Sequence, residues 1–192
     1  MHNPFFSPLD EALFNRRIIQ VSGGVDEELA SRVNKTLLAM EAADAKKPVF
    51  MFINSPGGEI SSGFSIYDTA RFIEPEVITV VTGMAASMGS IISLATRKKE
   101  NRLAFPNSKY LIHQPLISGT IRGTASEIEI HAIDIIKMRQ KINELYAKET
   151  GKPIEVIAEA TDRDNWMTPE EALKFGLIAR IVNNRSEVFA KA

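Results

Sequence analysis

The chain has 192 residues, 44% of them hydrophobic, and its 23 Lys and Arg stand against 24 Asp and Glu for a formal charge of -1. That size suits one compact domain over residues 1–192 with a sizeable core, and the near-neutral balance excludes a global basic field that would draw the chain to nucleic acid or to an acidic membrane. The absence of cysteine removes disulfides, thiolate zinc sites and a cysteine nucleophile together and fits a reducing, cytoplasmic setting, and no run approaches the roughly 18 apolar residues of a membrane span.

In chain order, the N-terminal MHNPFFSPLDEALFNRR carries neither a basic start followed by an apolar core nor a small-residue cleavage site. Arg17–Val21 reads as a short strand closed by Gly23-Gly24, after which Val25, Leu29, Val33, Leu37 and Met40 recur at helical spacing. The pattern repeats. Val49–Ile53 predicts a strand that leads through Asn54-Ser55-Pro56-Gly57-Gly58 into a helix with Ile60, Phe64 and Tyr67 on one face, stopped by Pro75. Val77–Val81 and a helix after Ser87 form a third unit, and a further apolar strand in Tyr110-Leu111-Ile112-His113 ends at the histidine.

The second half opens with a long predicted helix, Ala125–Thr150, started by the capping box Thr124-x-x-Glu127 and closed by Gly151. Ile128, Ile135, Ile142 and Leu145 lie near one face, while Ile130, Ile133 and Ile136 spread over others. That surplus calls either for contact with another subunit or for burial deep inside one domain. A short helix near Ile154–Ala160, a loop Thr161–Trp166, a helix capped by Thr168 and ended by Gly176, a last strand Leu177–Val182 and a polar tail complete the chain. Apolar strands alternating with helices predict an α/β fold with a mostly parallel sheet, whose ligands gather outside the carboxyl ends of the strands. Both Gly-rich turns, Ser55–Gly58 and Gly83–Gly89, fall at that edge.

A serine at a strand-to-helix junction ordinarily caps the helix. Ala85-x-Ser87-x-Gly89 has in addition the small residues two positions either side that a nucleophile elbow needs if a sharp turn is to expose the hydroxyl. Such a serine requires a base. Of three histidines, His2 is near the terminus and His131 is mid-helix, which leaves His113 at a sheet edge as the best base. Spacing does not select the carboxylate that would orient the imidazole: Asp162 and Asp164 qualify as loop acids, and Asp10, Asp68 and Glu100 remain open. The Gly57-Gly58 turn can supply one backbone donor to an oxyanion, and the amide of Met88, which follows the serine, can supply the other. No metal-ligand motif, Walker A sequence or GxGxxG occurs, so any ATP is used by another protein and no cofactor is expected in this chain.

Phe52-Ile53-Asn54-Ser55-Pro56-Gly57-Gly58, Ser65-Ile66-Tyr67-Asp68-Thr69, Gly83-Met84-Ala85-Ala86-Ser87-Met88-Gly89, Pro106-Asn107-Ser108, Ile112-His113-Gln114-Pro115-Leu116 and Arg163-Asp164 occur in this order. Over about Arg17 to Val182 the chain resembles ClpP, the family of proteolytic subunits of ATP-dependent Clp proteases. The resemblance implies a crotonase-like α/β fold, with Ser87 as nucleophile, His113 as base and then acid, and Asp164 rather than Asp162 as the orienting carboxylate. It further implies Gly58 and Met88 as oxyanion donors and Arg163 as a link between assembly and triad alignment. Two stacked heptameric rings, joined partly through the helix 125–150, would enclose the sites, and an AAA+ unfoldase would thread unfolded protein into them.

Two stretches depart from the family pattern. The segment 1–16 is short for the family's axial pore loops, and Leu116–Gly123 is about two residues longer and lacks the usual Gly-Gly. These departures raise a mixed ring with a paralogue, or a catalytically silent subunit, as one alternative. A crotonase-type acyl-CoA enzyme, which would use the same paired amides on a thioester, is the other.

Overall fold

The computed structural model describes residues 7–116 and 122–189. His2 and most of the 116–123 stretch lie outside the described residues. The elements in chain order are α1 (Pro8–Asn15), β1 (Ile18–Val25), α2 (Glu27–Ala43), β2 (Val49–Gly58), α3 (Ile60–Phe72), β3 (Val77–Ala86), α4 (Met88–Ser93), β4 (Arg102–Ala104), β5 (Lys109–Ile112), α5 (Ala125–Thr150), α6 (Ile154–Thr161), β6 (Asn165–Met167), α7 (Pro169–Phe175), β7 (Arg180–Ile181) and α8 (Arg185–Phe189). They gather into two compact units: one runs to Leu111 and resumes at Trp166, and the other is Ile112–Asn165.

The first unit is built on a sheet in the order β1-β2-β3-β4-β7, with every neighbouring pair parallel. Val49, Phe50, Met51 and Ile53 of β2 and Val77, Ile78, Val80 and Val81 of β3 are all buried. Strands covered on both faces carry such near-continuous apolar runs, so the α/β expectation holds. The helical stripe Leu29, Val33, Leu37 and Met40 is buried along α2.

The strands run further than their apolar segments. β1 does not close at Gly23-Gly24 but continues to Val25, and β2 continues to Gly58, because the ladder pairs Gly24 with Gly57 and Val25 with Gly58 beyond a register shift after Ser22. Val25 therefore belongs to the strand, and α2 starts after Asp26, whose carboxylate accepts the Leu29 N–H at 2.8 Å. β3 likewise extends through Ala86, with Ala85 opposite Ser55 on one side and Tyr110 on the other. At the other end of the chain, β7 is shorter than the predicted 177–182 strand. The Leu177 N–H still bonds to the Ala172 carbonyl of α7, and sheet bonding begins with the Ala179 N–H donated to the Arg102 carbonyl at 2.8 Å. The expected polar tail contains α8, whose Val188 and Phe189 pack on Phe50, Val80 and Leu103.

Arg17 fastens the end of this sheet remote from the Gly-rich turns. Its guanidinium donates to the carbonyls of Pro48 at 2.9 Å, Met40 at 2.8 Å and Lys47 at 2.8 Å, joining the last turn of α2 to the start of β2. Hydrogen bonds from a charged donor outweigh neutral ones, though partial exposure discounts them. Arg17→Ala is expected to destabilise the protein by about 1–2 kcal/mol, read as a melting temperature lowered by roughly 2–8 °C.

In the second unit α5 has the predicted capping box: Thr124 and Glu127 bond reciprocally, and the helix closes at Gly151. Its C-terminal half is held by buried Ile142, Asn143, Tyr146 and Glu149. Its N-terminal half stands clear, with Ile128, Ile130, Ile133 and Ile136 each 44–57% exposed. Burial deep inside the chain's own fold does not explain those isoleucines. α6 extends to Thr161, one residue into the predicted loop, because the Thr161 hydroxyl lies 2.9 Å from both the Ile157 carbonyl and the buried Asn143 Oδ1. No helix among the described residues is long and apolar enough to cross a membrane.

Candidate active site

Ser87 follows the last residue of β3 and precedes α4, with φ 53° and ψ -123°. A non-glycine residue in that region carries strain of about 1–3 kcal/mol. Its hydroxyl makes no capping bond to the helix it precedes, so the ordinary reason for a serine at this junction is lacking. The backbone instead clamps the conformation: the Ser87 N–H donates to the Leu111 carbonyl at 2.9 Å, and its carbonyl accepts from the Ser90 N–H at 2.9 Å and the Ser90 hydroxyl at 2.6 Å. The side chain is partly accessible, while Ala85, Ala86, Met88 and Gly89 around it are buried.

The small flanking residues have a steric cause. A Cβ added at Gly89 would stand 2.8 Å from the Ser55 carbonyl oxygen, so the elbow helix can approach β2 only with glycine there. Gly57 meets the elbow from the other side, where a Cβ would stand 2.6 Å from Ser87 Cβ and 2.9 Å from the Met88 nitrogen. Its φ of +92° also suits glycine alone. The two Gly-rich turns at the carboxyl ends of β2 and β3 are thus in contact, and they bring Gly57, Gly58, Ser87 and Met88 into one cluster. Within it the Gly57 N–H donates to Ser55 Oγ at 3.1 Å, which leaves Gly58 as the donor the turn can present, while Met88 opens α4, where amides lack partners inside the helix. Asn54 adds a second tie between the strands by accepting the Met84 N–H at 3.1 Å. Tyr110, opposite Ala85, is wholly buried and has no hydrogen-bond partner for its hydroxyl among the described residues; burial pushes its phenol far up, so this wall stays neutral.

His113, Asp164 and Arg163 belong to the second unit. His113 comes one residue after β5 ends rather than within the strand. It is positioned by Gln114, whose backbone N–H donates to the Thr161 carbonyl at 2.6 Å and whose side-chain amide donates to the Asp162 carbonyl at 2.7 Å. This double link fixes the segment after β5 to the loop after α6, and with it the imidazole to the acids. His113 Nδ1 lies 3.6 Å from Asp164 Oδ1, with 10% of the imidazole exposed against 67% of the carboxylate. That separation places a charge beside the ring without a formed hydrogen bond, a looseness usual before substrate binds. Asp162 faces away, to Arg163 Nε at 3.5 Å, and the Arg163 side chain is 91% exposed. Gln114 and Ser55 were not singled out from the sequence. The motif context was the available signal, since both lie inside the quoted stretches, but their partners are 32 to 48 residues away.

Comparison with known proteins covers nearly the whole chain. The family model described as Clp protease matches residues 6–185. The chain is 47% identical over 180 residues, 94% of its own length and 88% of the relative's, to the ATP-dependent Clp protease proteolytic subunit 2 of Treponema denticola.

Proposed function

For a chain that belongs to the Clp protease family and is therefore a serine endopeptidase, we propose that Ser87 is the nucleophile, His113 the general base and Asp164 the residue that orients it. Ser87 Oγ attacks the scissile carbonyl as His113 Nε2 takes its proton, and the carbonyl oxygen, now anionic, is received by the Gly58 and Met88 amides. His113 then gives the proton to the leaving amine, and a water repeats the sequence on the acyl-enzyme. Asp164 stays ionised, holding Nδ1–H and the positive charge that the ring acquires. The observation that carries this reading is the strained, uncapped Ser87 set against the glycine turn.

The active particle in this reading is two stacked heptameric rings that admit unfolded polypeptide from an AAA+ unfoldase, which supplies the ATP use. The support is physical. A clear, isoleucine-rich half of α5, about 20 Å long at helical rise, needs cover of the kind another subunit gives. In this reading Arg163, exposed and next to Asp164 in sequence, links that assembly to the triad. A mixed ring with a paralogue is the second reading, favoured by one fact: the relative is named as subunit 2.

A fluorophosphonate probe tests the chemistry. Covalent labelling at Ser87, lost in Ser87→Ala, is the expected result, and assembled protein that resists the probe would contradict it. A crotonase-type acyl-CoA enzyme needs no activated serine and would not label.

A further inference from the structure

Ser55 is fully buried, yet the proposed chemistry gives its hydroxyl no role. That hydroxyl accepts the Gly57 N–H at 3.1 Å and donates to the Gly23 carbonyl at 2.6 Å, so one oxygen bridges its own turn and the neighbouring strand β1. The bridge falls at the register shift between Ser22 and Gly24, where ladder pairing alone specifies alignment weakly. Gly57 and Gly58 have no side chains to stiffen the turn and both hold positive φ, +92° and +153°. They sit between two walls: a Cβ on Gly57 would strike Ser87, and one on Gly58 would overlap the Val25 carbonyl. The carbonyl of Ser55 meanwhile lies against Gly89 of the elbow helix. A single residue therefore touches the bulged end of β1, the glycine turn and the elbow.

We infer that Ser55 is a positioning residue, whose hydroxyl sets the Gly57-Gly58 turn so that the Gly58 N–H aims at the developing oxyanion. This rests on Gly58 being an oxyanion donor, as proposed above. Oxyanion donors act through preorganisation, and displacement by a fraction of an ångström weakens them where charge appears, in the transition state rather than in bound substrate. Deleting such a donor lowers turnover by about 100- to 1000-fold, so misaiming one is expected to lower it by roughly 10- to 100-fold.

The test uses the full-length assembled protein and a short fluorogenic peptide, with Ser55→Ala, Ser55→Cys and Arg17→Ala compared. Arg17→Ala is destabilised at the far end of the sheet and serves as the control for a purely structural loss. The expected result is kcat falling in the order wild type, Ser55→Cys, Ser55→Ala, with KM within about twofold, and affinity for a peptide boronate, whose adduct is tetrahedral, falling by the same factor as kcat. If Ser55→Ala matches Arg17→Ala in kcat, or if boronate affinity is unchanged, the inference is overturned. Should Ser55→Ala fail to fold, Ser55→Cys decides by the same comparison. An active Ser87→Ala protein would instead overturn the reading of the site itself, so the two failures are told apart.

Discussion

Ser87→Ala is expected to keep its assembly and its melting temperature while losing cleavage of a short fluorogenic peptide by a factor of about 10⁵ or more, the scale seen when a serine nucleophile is deleted. The stability half of this expectation follows from the geometry. The Ser87 hydroxyl caps nothing, and the bonds that clamp the residue, to Leu111 and from Ser90, are made by its backbone. Alanine keeps the same Cβ and suffers the same strain, so the fold loses no internal bond. A drop in turnover with unchanged melting is then chemical in origin. Undiminished cleavage by the purified variant would show that residue 87 does not attack the substrate.

The second large effect is the contrast between two neighbouring acids. Asp164→Ala should lower kcat by roughly 10⁴-fold, because the imidazole loses both the partner that fixes its tautomer and the charge that stabilises the imidazolium. Asp162→Ala should stay within about tenfold, since its carboxylate faces Arg163 and not the ring. Part of that modest loss would come through Arg163. The Gln114 link survives both changes, as it uses the backbone carbonyl of Asp162. Measured side by side on one peptide, a dead Asp162→Ala and an active Asp164→Ala would reassign the carboxylate.

Much of this was legible in the chain. Apolar runs located the cores of β1, β2 and β3, the Thr124 capping box and the Thr168 N-cap marked the starts of α5 and α7, and the two Gly-rich turns meet at the carboxyl edge where they were expected. Hydropathy did not report how far the strands run, because Ser22-Gly23-Gly24, Asn54–Gly58 and Thr82–Ala86 pair through backbone groups, which do not depend on the polarity of the side chains. Three-residue strands such as β4 and β6 are too short for a period to be read. Among the acids, spacing could not tell that Asp164 lies beside His113, since the Gln114 bonds that tie the two segments span some fifty residues of sequence. Ser55 read as one more turn serine for the same reason: its meaning lies in a carbonyl on another strand.

The unfavourable dihedral at position 87 bears on what kind of subunit this is. A scaffold that merely filled a place in a ring would be firmer with glycine there, since glycine adopts the same angles without steric conflict. Keeping a side chain on that backbone works against thermal robustness, and under the proposed chemistry it is the hydroxyl it carries that offsets the cost, which weighs against a silent member of the family.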